Sequence, residues 1–343
     1  MKNSLLVVLS VLGSIVPACD ANDESRSGGD ADSDTDVDTD TDTDIDGDTD
    51  TDTDSDTDSD TSTSAGTGCS SMDILFIIDN SGSMIEEQQN LSKNFPEFVE
   101  VLDDYFSGAS AQLSYRVGVT TAGVVRNFKL QALPGVTTPM ISGGANGKLV
   151  GQEKCNLGAH PWADGPAADV ETKFSCMADV GSGGLGFEMP LAALELAIGK
   201  HLELGGANEG FYRKDEDSLL VVVIITDEDD CSVVEGGLVK GNSADSTCVE
   251  QGSPGMYVVE DTKDLLDQTA GGSGRYVVVA IAGKTACNSQ FGTATNAPRL
   301  ARLTDMCAEY GVMGDICSGD LWESLAEALA VMQKACDDFP PPV

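Results

Sequence analysis

The sequence predicts an α/β protein: a doubly wound, mostly parallel central sheet with helices on both faces, preceded by a disordered acidic linker. Three observations carry this. Ile74–Ile78, Leu219–Thr226 and Arg275–Ala282 contain continuous runs of Ile, Val, Leu and aromatic residues, the pattern of strands covered on both faces. Helical spacing follows each of them, as in repeated βα units. Residues 30–64, in contrast, alternate Asp with Thr or Ser and offer almost nothing to bury.

The chain begins with an export signal. Lys2 is followed by an apolar run from Leu5 to Val16 and then by Val16-Pro17-Ala18-Cys19. Residues 1–18 thus read as a signal peptide too short to be kept as a spanning helix. The small residue before Cys19 matches a bacterial lipoprotein signal, so Cys19 is the expected lipidation site and the membrane is reached by lipid alone. That places the mature protein in the bacterial cell envelope, exported and lipid-anchored. Residues 19–68 form the linker, 69–338 the folded domain and 339–343 a short tail.

Charge excludes some partners. The formal net charge is −39, and residues 20–68 carry eighteen Asp and one Glu against one Arg. No basic patch exists to meet phosphates, so no nucleic acid is expected. The tract reads as a solvated stalk kept extended by its own repulsion. Asp42-Thr43-Asp44-Ile45-Asp46-Gly47 fits the start of an EF-hand loop, but Thr53 stands where a bidentate Glu belongs. Ten cysteines in an exported chain imply disulfides. Cys155 with Cys176, Cys231 with Cys248 and Cys69 with Cys336 are the candidate pairs, although spacing does not fix connectivity. With Cys19 lipidated, an odd number remains.

Within the domain, Met84 to Phe106 reads as a helix with Leu91, Phe95, Phe98, Val99 and Leu102 on its core face. Glu86 and Glu87 suit its first turn, and Pro96 predicts a kink or a break. Gln112–Thr121 reads as a strand. Residues 123–187 are irregular, with an edge hairpin around Val124–Leu133 and a disulfide-pinned loop. His160, Trp162 and His201 read as ordinary surface residues. Residues 232–256 read as a second loop. A helix over Tyr257–Gln268, helices near Pro298–Tyr310 and Leu321–Ala335, and a short edge strand at Gly311-Val312-Met313 complete the domain.

The chemistry concentrates where strands end. Asp79-Asn80-Ser81-Gly82-Ser83 follows the first apolar strand and precedes a helix, which places Asp79, Ser81 and Ser83 at the carboxyl edge of the sheet. Alternating hard oxygen donors suit a Mg²⁺-sized cation. A second strand ends in Asp227, followed by Glu228-Asp229-Asp230-Cys231. With these segments the chain resembles the von Willebrand factor type A family. Asn208 to Arg213, together with the acidic cluster, is similar to a bacterial secreted subset of that family. The resemblance covers roughly 69–336 and implies a metal-ion-dependent adhesion site. In it Ser81 and Ser83 bind the ion directly, the aspartates directly or through water, and a partner's carboxylate takes an open position. It also implies a Thr from a Gly-rich loop; aligning Ala193-Leu194 puts Glu188 there instead, a carboxylate for a hydroxyl. Gly181-Ser182-Gly183-Gly184-Leu185-Gly186 contains G-x-G-x-x-G, but it follows no convincing strand and is discounted as a dinucleotide loop.

The expected metal ligands are therefore Asp79, Ser81, Ser83, Glu188 and Asp227, holding Mg²⁺, with Mn²⁺ or Ca²⁺ as alternatives. The implied function is adhesion to a protein or extracellular-matrix partner, and the alternative is a scaffold whose ion only stabilises the fold. An enzyme is not expected, since the chain has two His and no Ser, His and acid at triad spacing.

Overall fold

The computed structural model describes residues 68–108, 113–184, 186–240, 255–289, 292–319 and 321–341. Cys19, the 30–64 tract with its EF-hand-like segment, and Cys248 lie outside them.

The main sheet holds β1 (Ser71–Ile78), β2 (Ser114–Thr121), β5 (Trp162–Gly165), β6 (Ser218–Ile225), β8 (Tyr276–Ala282) and β11 (Gly311–Asp315) in the order β11-β8-β6-β1-β2-β5. All pairings are parallel except that of β5 with β2. The three apolar runs are its central strands, and every residue of β1, β6 and β8 is buried. Alternation decides which face each side chain serves. Ile74, Phe76 and Ile78 pack with α1 (Ile85–Gly108), α2 (Val170–Ala178) and α6 (Leu321–Asp337). Leu75 and Ile77 pack on the other face with α3 (Pro190–Ile198), α4 (Val259–Ala270) and α5 (Pro298–Met306).

Helix α1 is one continuous element through Pro96, so of the expected kink or break the break does not occur. Proline removes one hydrogen bond. Around it Phe76, Phe95 and Phe98 close on Phe174 of α2, with ring centroids 4.3 to 6.3 Å apart, and this packing holds the helix together.

The irregular 123–187 stretch contains more structure than its sequence indicates. Its hairpin is β3 (Asn127–Leu133) with β4 (Val136–Ile141), later in the chain than expected. It belongs to a separate sheet completed by β7 (Leu238–Lys240), inside the expected second loop. The edge of the main sheet beside β2 is β5 instead, and β11 is the expected edge strand on the other side. A smaller hairpin pairs β9 (Cys287–Ser289) with β10 (Gly292–Ala294). The helix expected over Pro298–Tyr310 ends at Met306 and continues as a 3-10 turn, Ala308–Tyr310.

Disulfides join Cys69 to Cys336, Cys155 to Cys176 and Cys287 to Cys317. Two of these match the candidate pairs and the third was not expected. Cys231 is also disulfide-bonded, while Cys307 is a buried free thiol that burial pushes up to about 12. Such bonds belong to a protein exported from the reducing cytoplasm. Among the described residues no helix is long and apolar enough to cross a membrane.

One charge interrupts the central strand. Asp73 of β1 is fully buried and accepts from Arg213 Nη2 at 2.7 Å and Nε at 2.9 Å, and from Ser218 Oγ at 2.8 Å. Replacing Arg213 by Ala strands that carboxylate, so a loss of about 3–5 kcal/mol is expected in urea unfolding. Replacing Asp73 and Arg213 together by Leu should cost much less.

Candidate metal site at the carboxyl edge of the sheet

Because β2, β1 and β6 run parallel and in register, their exits lie side by side. Asp79 N donates to Ile225 O at 2.9 Å and Ala122 N to Ile78 O at 3.1 Å. The turn after β1 is closed by its own aspartate: Asp79 Oδ1 accepts from Ser81 N at 2.7 Å, and Oδ2 accepts from Thr226 Oγ1 at 2.7 Å. Ser81 Oγ and Ser83 Oγ lie 2.8 Å apart, with Ser81 buried and Ser83 exposed at the mouth.

The glycine-rich segment lies against this turn. Gly184 N donates to Asn80 O at 2.7 Å, and Gln88 Nε2 bridges Asp79 O and Gly181 O. A Cβ on Gly184 would stand 2.6 Å from the Asn80 carbonyl oxygen, so the approach requires glycine there. The segment is thus a wall of the site rather than a phosphate loop. Beside it opens a cavity of about 410 Å³ bordered by Ile85, Gln88, Ser182 and Asp179.

Glu188, at the end of that segment, is fully buried. Both its carboxylate oxygens lack a hydrogen-bond partner, as does Asp227 Oδ1. Burial, with Asp79, Glu228 and Asp227 nearby, pushes Glu188 up to about 10. Burial, with Asp79 next, pushes Asp227 up to about 7. Asp79 is raised by burial as well, against the lowering effect of its bonds to Ser81 and Thr226. Asp79, Glu188 and Asp227 are thereby brought together as electrostatic neighbours, with Ser83 beside Asp227.

The run Asp227-Glu228-Asp229-Asp230 divides in two. Asp229 accepts from Arg299 N and Leu300 N at the start of α5. Asp230 accepts from Leu191 N at 3.0 Å in α3 and pairs with Arg299 at 2.9 Å. These two hold helix ends, while Asp227 and Glu228 face the site. Sequence reasoning also passed over Glu87, assigned to the helix dipole. It is 3% exposed, its Oε2 lacks a partner, and burial raises it, with Glu86 and Asp79 adding to the shift. Its neighbour Glu86 is exposed; only knowledge of which helical face meets β10 separates the two.

Among the described residues no three His, Cys, Asp or Glu side chains form a metal cage by themselves. The donor set here is mixed, carboxylates with serine hydroxyls. Buried carboxylate oxygens without donors, beside two hydroxyls, fit a hard divalent cation. Neither histidine takes part. His201 is buried, not at the surface as expected, and its Nε2 donates to Asn146 O at 2.9 Å. His160 is exposed and stacks on Trp162, which is itself buried, not at the surface as expected, and also packs with Phe211 and Arg116.

No family model matches this sequence, and no curated protein matches it. Similar solved structures include proximal thread matrix protein 1 from the mussel byssus, 14% identical over 78% of this chain and 49% of that one, with TM-score 0.39. The pilus adhesin SpaC from Lactobacillus rhamnosus GG is 11% identical over 78% of this chain and 30% of its own, with TM-score 0.34. The human COPII-coat protein Sec24c is 11% identical over 79% and 33%, with TM-score 0.38. This chain spans about half the length of the first and a third or less of the other two.

Raised carboxylates give the cation-free protein a defined pH response. Below about pH 4 folded and unfolded chains both hold these protons. Above it the unfolded chain ionises, while the folded one retains protons up to about 7 at Asp227 and about 10 at Glu188. Stability in EDTA should therefore fall as pH rises from 5 to 8, measured by denaturant titration. Saturating cation should flatten that slope.

Proposed function

We propose that the protein is an exported, envelope-anchored interaction module that binds one divalent cation through Ser81, Ser83, Asp227, Glu188 and Asp79. The site serves adhesion to a protein or matrix partner. The observation that carries this reading is the set of buried, unpartnered oxygens on Glu188 and Asp227 beside the Ser81–Ser83 hydroxyl pair. The resemblance of Asp79-Asn80-Ser81-Gly82-Ser83 and Asp227 to type A domains supplies the adhesive role and Mg²⁺, with Mn²⁺ or Ca²⁺ as alternatives. When bound, the ion supplies the positive charge these loops otherwise lack. Ser81 and Ser83 present hydroxyls, Asp79 braces the turn through Ser81 N and Thr226 Oγ1, and Glu188 and Asp227 balance the charge.

A scaffold reading, with the ion as a clip, is favoured by one observation, the complete burial of Glu188. No catalytic role is proposed, because His201 is committed to Asn146 O and His160 to a stack on Trp162.

Thermal unfolding of the purified chain in EDTA, Mg²⁺, Mn²⁺ or Ca²⁺ tests the site. A ligand that binds only the native state raises the melting temperature by mass action. The rise should disappear in Asp79→Ala. Retention on immobilised matrix proteins in cation, lost in EDTA and in Asp79→Ala, would favour adhesion over the scaffold. If no cation raises the melting temperature, the metal mechanism is wrong and the scaffold stands. The anchor is tested separately: Cys19→Ala should abolish palmitate incorporation and move the protein to the soluble fraction.

A further inference from the structure

Resting on that reading, a second question is whether the cation faces outward to a partner or is enclosed. The carboxylates are not equivalent. Asp79 commits both oxygens to protein donors, Ser81 N and Thr226 Oγ1. Asp227 has one oxygen without a partner, and Glu188 has two. Nor can Glu188 move away easily. Its own carbonyl accepts from Cys231 N at 2.7 Å, and the next peptide donates from Met189 N to Ala122 O at 3.0 Å. Helix α3 starts immediately after, at Pro190, with Leu191 N held by Asp230 and Ala192 N by Ser232 Oγ at 2.8 Å. The residue is thus fixed between two bonded peptides, with its side chain wholly out of solvent.

We infer that Glu188 is a resident ligand that takes, from within, the place a partner's carboxylate would fill, so that the site prefers Ca²⁺ to Mg²⁺ and water completes the ion's shell. Both Glu188 oxygens, Asp227 Oδ1 and the Ser81 and Ser83 hydroxyls make five protein oxygens without drawing on Asp79. Ca²⁺ accepts six to eight oxygens and takes bidentate carboxylates, whereas Mg²⁺ keeps an octahedron with several waters. A buried carboxylate with two uncommitted oxygens suits the former. A partner then meets the loop face that the ion holds in shape, not the ion itself.

The experiment compares the full chain with Glu188→Gln, Glu188→Thr and Asp79→Ala, following melting temperature across Ca²⁺ and Mg²⁺ titrations with and without acetate. Thermal shifts report the folded domain, and Asp79→Ala corrects for ions held by the acidic tract. The unsubstituted chain should respond at lower Ca²⁺ than Mg²⁺, and acetate should leave its half-saturation unchanged. Glu188→Gln keeps the side chain's size and one carbonyl oxygen but cannot supply the negative charge that a cation needs. It should need about tenfold more Ca²⁺ or beyond for half-saturation. In Glu188→Thr, acetate should strengthen cation binding by filling the vacated position; if this variant does not fold, Glu188→Gln still decides ligation. Acetate-dependent tightening in the unsubstituted chain, or unchanged Ca²⁺ response in Glu188→Gln, would overturn the inference while leaving the cation site intact. No response to any cation in the unsubstituted chain would overturn both.

Discussion

Strand β1 is hydrogen-bonded along its length to β2 on one side and β6 on the other, in matching register. This double pairing fixes where the chain's charges meet. Residues 79 and 226 must leave the sheet at the same level, and the carboxylates they carry or orient share one recess. Two unit charges about 4 Å apart repel by roughly 4 kcal/mol at the effective dielectric of a protein surface. A hydrogen bond contributes only about 1 kcal/mol net, so the bonds from Ser81 N and Thr226 Oγ1 do not balance the crowding around Asp79. Protons or a cation must, and the fold bears the arrangement because three central strands are entirely buried.

What the sequence discloses follows from the same source. Strands covered on both faces must be apolar throughout, so β1, β6 and β8 stand out without any knowledge of their neighbours. A strand that stops at Asp79 or Asp227 announces the sheet edge in the same way. Peripheral elements lack such a signature. Strand β5 has four residues and β7 three, and their pairing is decided by distant partners. Helix α2 was hidden in a glycine-rich region although Phe174 completes the central aromatic cluster.

At the site the limits were set by direction rather than composition. Asp229 and Asp230 adjoin Asp227 in sequence, yet they turn to the starts of α5 and α3. Glu87 and Glu86 are neighbours on one helix, but only Glu87 is buried against the site. Asn208 and Arg213, part of the resemblance to a secreted subset, serve packing: Asn208 bonds Leu149 N, Gly147 O and Ala197 O, and Arg213 holds Asp73. Carboxylates next to each other in sequence carry no label saying which will be left without a hydrogen-bond donor.

The Cys69–Cys336 bridge has a mechanical meaning. Cys69 stands just before β1 and Cys336 in α6, and Cys69 N also donates to Cys336 O at 2.7 Å. The candidate site lies at the other end of β1, a strand of eight residues. Tension between Cys69 and that site therefore runs along the strand and loads its hydrogen bonds to β2 and β6 in shear, all together instead of one after another. The bridge passes part of the same load into α6, which packs on one face of the sheet. A domain stapled in this way resists being drawn out from its first strand, the direction from which a pull on the preceding segment arrives.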